Sequence, residues 1–156
     1  MAQKQISDPY IRAKNYALFL LKFRHRSRYE IEHRLKKKNF TPQIIKQTVD
    51  NLSCAGLIND LSFTKAWVEN RLKYRPRSKR FLKYELFKKG VEKDIVNTVL
   101  CAIGEEKEYE IARNIAEKRA QKLKGDKKIR EKLYAYLVRR GFNTAVALKI
   151  LKELVK

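Results

Sequence analysis

An apolar pattern recurs three times in this chain at a spacing of 51 residues. The first copy is Ile31, Leu35, Phe40 and Ile44; the second is Leu82, Leu86, Val91 and Ile95; the third is Leu133, Leu137, Phe142 and Val146. The match continues through Thr48/Val99/Ile150, Val49/Leu100/Leu151 and Leu52/Ile103/Leu154. These spacings place each set on one face of a helix. Three copies at one period mean one supersecondary unit used three times, each packed mainly against its neighbours. The chain is therefore predicted to be all-α, with about nine helices in three tandem three-helix repeats forming an elongated, curved, solenoid-like molecule. The units are placed at residues 1–58, 59–104 and 105–156.

Glycine and proline punctuate this pattern. Asp8-Pro9 opens a first helix running to about Arg24, with Asp8 as its cap. Ser27 to Glu30 is a capping box for a second helix, and Thr41-Pro42 opens a third that ends at Gly56. In the second unit Asp60 is read as a cap, Pro76 as a stop, Ser78 as a cap and Gly104 as a terminator. The third unit is read as a long helix over 105–124, a second to Arg140 and an Asn143-capped third reaching the C-terminus. Asn39, Gly90 and Gly141 share one repeat position, at which the chain needs a left-handed turn. Trp67 is read as core beside Phe63 and Val68. Cys54 and Cys101, near the ends of apolar helices, are read as buried reduced thiols.

Charge is the second constraint. Lys and Arg number 38 against 17 acids, a formal net charge of +21. Such an excess fits a polyanionic partner. The basic residues also obey the repeat. Leu-Lys-Phe-Arg-His-Arg-Ser at 21–27 matches Leu-Lys-Tyr-Arg-Pro-Arg-Ser at 72–78. Arg24, Arg26 and Arg28 thus correspond to Arg75, Arg77 and Lys79, with Arg80 beside them. The third copy degrades to Lys127, Lys128 and Arg130. Each loop precedes a helix N-terminus, whose free amides and dipole would favour an anion. A second set, Lys36, Lys37 and Lys38, then Lys88 and Lys89, then Arg139 and Arg140, falls in the last turn of each middle helix. There cations also stabilise the helix end, so the arginine loops are the favoured contact sites. The helices after the tight turns carry too few basic residues for a base-reading role.

No catalytic constellation is legible. His25 and His33 have no ligand-spaced partner, and there is no glycine-rich phosphate loop or nucleophile elbow. The chain is read as a non-enzyme with no cofactor and no metal. The N-terminal stretch has no apolar signal core, and the longest apolar run, Ala17 to Leu21, is too short for a membrane span. A cytoplasmic monomer that does not engage membranes is expected.

Three motifs together resemble the RecX family of bacterial regulatory proteins. They are Ala17-Leu-x5-Arg24-x-Arg26-Ser27-x2-Glu30-x4-Leu35, Gly56-Leu-Ile-Asn-Asp60-x2-Phe63-x3-Trp67-x3-Arg71, and Glu85-Leu86-x-Lys88-Lys89-Gly90-Val91. They span roughly residues 13 to 103, and the Gly-Leu-Ile-Asn-Asp stretch is the most specific. Asn59 and the Arg77-Ser78-Lys79-Arg80 stretch depart from the family's usual pattern. The resemblance implies tandem three-helix domains that bind the RecA recombinase filament on single- or double-stranded DNA. It implies modulation of filament assembly, ATP hydrolysis and strand exchange, with inhibition favoured over stimulation, and so regulation of recombination and repair. Autonomous DNA or RNA binding through phosphate contacts is the alternative.

Overall fold

The computed structural model describes residues 8–155. The stretch 1–7, to which most of the signal-peptide reading applies, and residue 156 lie outside the described residues. Among the described residues there are nine helices and no strand: α1 Pro9–Phe23, α2 Arg28–Lys37, α3 Pro42–Cys54, α4 Asp60–Tyr74, α5 Lys79–Lys88, α6 Lys93–Leu100, α7 Glu105–Lys122, α8 Ile129–Arg139 and α9 Thr144–Leu154. They form three units, α1–α3, α4–α6 and α7–α9, in which the helices pack chiefly on members of their own unit.

Six of the nine helices start where a side-chain oxygen takes an orphan amide; α6, α7 and α8 have no such cap. Asp8, Ser27, Thr41, Ser78 and Asn143 all accept from a first-turn N–H, and Ser27 with Glu30 completes the capping box. Two readings change. Asn59, not Asp60, caps α4, with its Oδ1 accepting from Ser62 N at 2.9 Å. Asp60 is drawn away because its carboxylate accepts from Arg28 N at 2.8 Å. Gly104 does not end α6, which stops at Leu100; it is the N-cap residue of α7. The shared turn position is left-handed in all three units, with φ of 60° at Asn39, 70° at Gly90 and 87° at Gly141.

Three cores result. Leu20, Ile31, Leu35, Val49 and Leu52 centre the first; Phe63, Leu82, Leu86, Val96 and Leu100 the second; Ala112, Ile115, Leu137, Phe142 and Ile150 the third. Removing one such leucine would cost about 2–5 kcal/mol. Ile111 packs against both the second and the third core. Trp67 is half-buried at the edge of the second core. Both cysteines are exposed, which corrects the expectation of buried thiols. Cys54 is the last residue of α3, two positions past buried Leu52, and Cys101 the C-cap of α6, one position past buried Leu100; at these helical offsets each lies off the buried face. The Cys101 thiol donates to the Thr98 carbonyl at 2.9 Å.

The surface shows that these cores are strung out. The chain exposes 11121 Å², whereas a compact protein of its 18.5 kDa would expose about 8,200 Å². An elongated array of small cores accounts for the difference.

The middle helices are joined end to end. The Ser27 hydroxyl, at the start of α2, donates to the Lys89 carbonyl, at the end of α5, across 2.6 Å. Ser78 N, at the start of α5, donates to the Arg140 carbonyl, at the end of α8, across 3.0 Å. Both serines are buried. The positive end of one helix dipole thus meets the negative end of the next, so α8, α5 and α2 form one column. This column explains the glycines. A Cβ on Gly90 would lie 2.3 Å from Tyr29 Cβ, and one on Gly141 would lie 2.5 Å from Ser78 Oγ. Asn39 holds the same turn in the first unit, the end of the column to which no further unit docks among the described residues. There a left-handed backbone is enough, and asparagine supplies it.

Candidate nucleic-acid interface

The column determines which cations remain available. At the first joint, Arg24 Nη2 donates to Glu30 Oε1 at 2.9 Å and Lys89 Nζ to the same oxygen at 2.8 Å. Burial pushes the Glu30 carboxyl up, but its hydrogen bonds with Arg24 and Lys89 win and hold it down at about 2. Lys89 also lies 4.9 Å from the Trp67 ring, and Arg71 lies 4.5 Å from it. Trp67 Nε1 and Arg71 Nε both donate to Glu85 Oε2, at 3.1 and 2.8 Å. Trp67 is therefore both core edge and the centre of a cationic network.

The second joint solves the same problem differently. Phe81 and Tyr136 stand 51 residues beyond Glu30 and Glu85. Arg77 lies 4.5 Å from the Phe81 ring and donates to the Arg139 carbonyl at 3.1 Å. Arg140 lies 4.5 Å from the Tyr136 ring and donates to the Pro76 carbonyl at 2.8 Å. Rings thus stand at the repeat positions of the two acids, and the cations that meet them, Arg77 and Arg140, correspond to Arg26 and Lys89.

The helix N-termini behind the arginine loops are already occupied, contrary to the expectation of free amides. Arg28 N donates to Asp60 and Glu30 N to Ser27 Oγ. In the second unit Lys79 N donates to Glu108 Oε1 at 2.8 Å and Phe81 N to Ser78 Oγ. A carboxylate from the following unit takes the first amide of α2 and of α5, where an external anion would otherwise bind; α8, behind the third loop, has no side-chain cap. Burial beside Arg28 governs Asp60, with desolvation raising its carboxyl above the ordinary range despite the Arg28 contacts.

The predicted basic residues consequently divide into two groups. Arg28 pairs with Asp50 at 2.5 Å and Glu32 at 2.9 Å, and the Asp50 bond raises its pKa. Arg26 Nε donates to the Leu20 carbonyl at 3.2 Å, and Lys79 Nζ to the Ile103 carbonyl at 3.1 Å. With Arg24, Arg77, Lys89 and Arg140, these residues serve internal contacts. Lys36, Lys37, Lys38, Arg75, Arg80, Lys88, Lys127, Lys128, Arg130 and Arg139 are exposed, and their side chains donate no hydrogen bond among the described residues. Lys38 lies 5.5 Å from the Tyr16 ring and Lys88 4.7 Å from the Tyr84 ring, both still open to solvent.

Two residues escaped the sequence reading although their signal was present. Phe23 and Tyr74 hold the aromatic position of the repeated loop and are 67% and 66% exposed. Their 51-residue spacing was visible, but only the cations around them were read. Among the described residues, no cluster of three potential metal ligands occurs, and no helix is long and apolar enough to cross a membrane.

The fold and its surface define a class, a basic tandem three-helix-repeat protein whose units are coupled through their middle helices. Sequence comparison is more specific. Family descriptions for the first, second and third three-helix domains of RecX match residues 13–52, 59–100 and 105–151. The chain belongs to the RecX family. It is 35% identical over 148 residues to the regulatory protein RecX of Prosthecochloris aestuarii, covering 92% of this chain and 94% of that one. It is 33% identical to that of Mycolicibacterium smegmatis, covering 92% and 81%. The crystal structure of RecX from Lactobacillus salivarius superposes with a TM-score of 0.80 at 24% identity, covering 96% of this chain and 98% of that one, and shares the fold.

Proposed function

We propose that this protein binds the RecA recombinase filament on DNA and restrains its assembly, ATP hydrolysis and strand exchange, thereby regulating recombination and repair. Membership of a family whose relatives are named regulatory proteins supports this reading. The observation that carries it is the column. It sets uncommitted cations at recurring positions: Lys36 to Lys38 at the end of α2, Lys88 at the end of α5 and Arg139 at the end of α8. A recombinase filament is itself a helical repeat carrying phosphate, so an elongated basic array can follow it. In this reading the protein acts in the cytoplasm as a monomer, without a cofactor and without catalysis of its own. Its candidate contacts are the free cations above, together with Arg24, whose guanidinium stays partly exposed.

The test is RecA assembled on single-stranded DNA with the purified protein added below stoichiometry. ATP hydrolysis and strand exchange should both fall. Unchanged rates at equimolar protein would reject the proposal. Autonomous phosphate binding is the second reading, favoured by the number of free cations. It expects tight binding to naked DNA, with a log–log salt slope of about 0.7–0.9 per neutralised phosphate.

A further inference from the structure

Large aromatic rings at the surface are common singly, but Phe23 and Tyr74 are not single. They occupy one position of the repeat, each at the end of the first helix of its unit, and each is about two-thirds exposed. Neither belongs to a core cluster. Each is flanked by a lysine and an arginine, Lys22 and Arg24 around Phe23, Lys73 and Arg75 around Tyr74. Neither loop, 21–26 or 72–77, contains an acid. The Phe19 ring meets Phe23 edge-on at 4.9 Å. Lys73 Nζ lies 5.2 Å from the Tyr74 ring.

Phe23 also lines a cleft of about 550 Å³ between the first loop and the start of the second unit. Leu57, 52% exposed, adds an apolar surface there. Lys22, Arg24 and His25 supply positive or polar groups, and Asn59 lines the same cleft with its carbonyl committed to the cap and its amide group uncommitted. The volume lies within the range of small-ligand sites. An exposed ring beside cations and a hydrogen-bonding amide has the chemistry of a base-stacking site, since every base offers a π-face and a phosphate follows it. A paired base has its faces covered by neighbours, so the fit is to unpaired bases.

We propose that Phe23 and Tyr74 are stacking platforms for unpaired bases of a single-stranded nucleic acid, with the cleft beside Phe23 receiving one base. The third unit has Gly125 at this position and offers no such ring. The inference rests on the nucleic-acid part of the proposed function and not on its recombinase part.

The experiment is fluorescence anisotropy of the full chain with labelled oligothymidylate of about 20 nucleotides, long enough for more than one contact. A duplex and an abasic strand of the same length are the comparison probes. Phe23→Leu with Tyr74→Leu removes both rings but keeps apolar volume; Phe23→Tyr with Tyr74→Phe exchanges them. The leucine pair should bind oligothymidylate at least about 25-fold more weakly, about fivefold per ring, the low end for base stacking. The exchanged pair should bind as the wild type does. Duplex affinity and the thermal transition should be unchanged in both. Wild type should bind the abasic strand about as weakly as the leucine pair binds oligothymidylate. Equal oligothymidylate affinity for leucine pair and wild type, abasic binding as tight as oligothymidylate binding, or no wild-type binding at all would each overturn the proposal. RecA ATP hydrolysis measured with the same proteins separates the readings. Ring-dependent strand binding without any effect on RecA rejects the recombinase reading alone. An effect on RecA that survives the leucine pair, with strand binding unaltered, rejects the stacking sites alone.

Discussion

The Ser27 hydroxyl donates to the Lys89 carbonyl across 2.6 Å while accepting from Glu30 N across 3.2 Å. One buried oxygen therefore caps its own helix and ties the first unit to the second. Ser27→Ala removes both bonds and leaves a buried carbonyl without its partner. A loss of about 1–2 kcal/mol is expected in urea denaturation, from the cap and the unpaired acceptor together. Unaltered stability would mean that the end-to-end joint does not form in solution.

The turn position separates backbone strain from docking. Asn39, Gly90 and Gly141 share a left-handed backbone, but only the glycines face another unit at less than 3 Å from an added Cβ. Asn39→Ala should cost about 1 kcal/mol, the price of a left-handed residue. Gly90→Ala adds a clash with the Tyr29 side chain at its Cβ, so its loss in thermal or urea melts should be larger by about 1–3 kcal/mol, the cost of overpacking. Equal losses at the two positions would contradict the column.

Acid should loosen the first joint through Glu30. Its folded pKa, about 2, lies below its ordinary value of 4.5. A depressed acid contributes stability that is present above the unfolded value and lost as pH falls towards the folded one. The window is thus about pH 5 down to 2. Asp60, raised by burial, works in the opposite direction, so the wild type alone is not a clean reporter. The stability difference between wild type and Glu30→Gln should shrink across the window. A difference independent of pH would show that Arg24 and Lys89 do not hold the carboxylate.

Cations that look alike in the sequence should separate in solution. Arg75→Ala, Arg80→Ala and Lys88→Ala remove exposed charges and should each flatten the salt slope of DNA binding by up to about one unit, with little effect on melting. Arg77→Ala and Arg140→Ala remove donors to the Arg139 and Pro76 carbonyls. These should lower stability by about 1.5–3 kcal/mol, as hydrogen bonds from charged donors do. Calorimetry and salt titrations of the same five variants give the comparison. The reverse ordering would mean that the joint arginines face the nucleic acid.

Helix positions, most caps and the left-handed turns were legible because they depend on residues three to five apart; Asp60 was misread as a cap because its partner Arg28 lies in another unit. The joints were not, because Ser27 and Lys89 are 62 residues apart and meet only when two units stack. Arg26, Arg77 and Lys79 read as free phosphate ligands because the carbonyls and rings that engage them lie on other elements. The amides behind them read as open because Asp60 and Glu108 arrive from the next unit. Cys54 and Cys101 read as buried from the apolar character of their helices, although each lies off the face that carries Leu52 or Leu100. Phe23 and Tyr74 were recoverable from their spacing, but whether a ring in such a loop is covered depends on tertiary packing.

Partition of the protein between a RecA filament and the strand beneath it tests the central claim most directly. RecA filaments assembled on single-stranded DNA are pelleted with the protein, beside an equal amount of naked strand captured on beads. The protein should be retained by the filament with higher affinity than by the naked strand, and the excess should persist at salt concentrations that release it from DNA alone. Retention by the naked strand equal to or greater than that by the filament would contradict a recombinase partner and leave a nucleic-acid-binding protein.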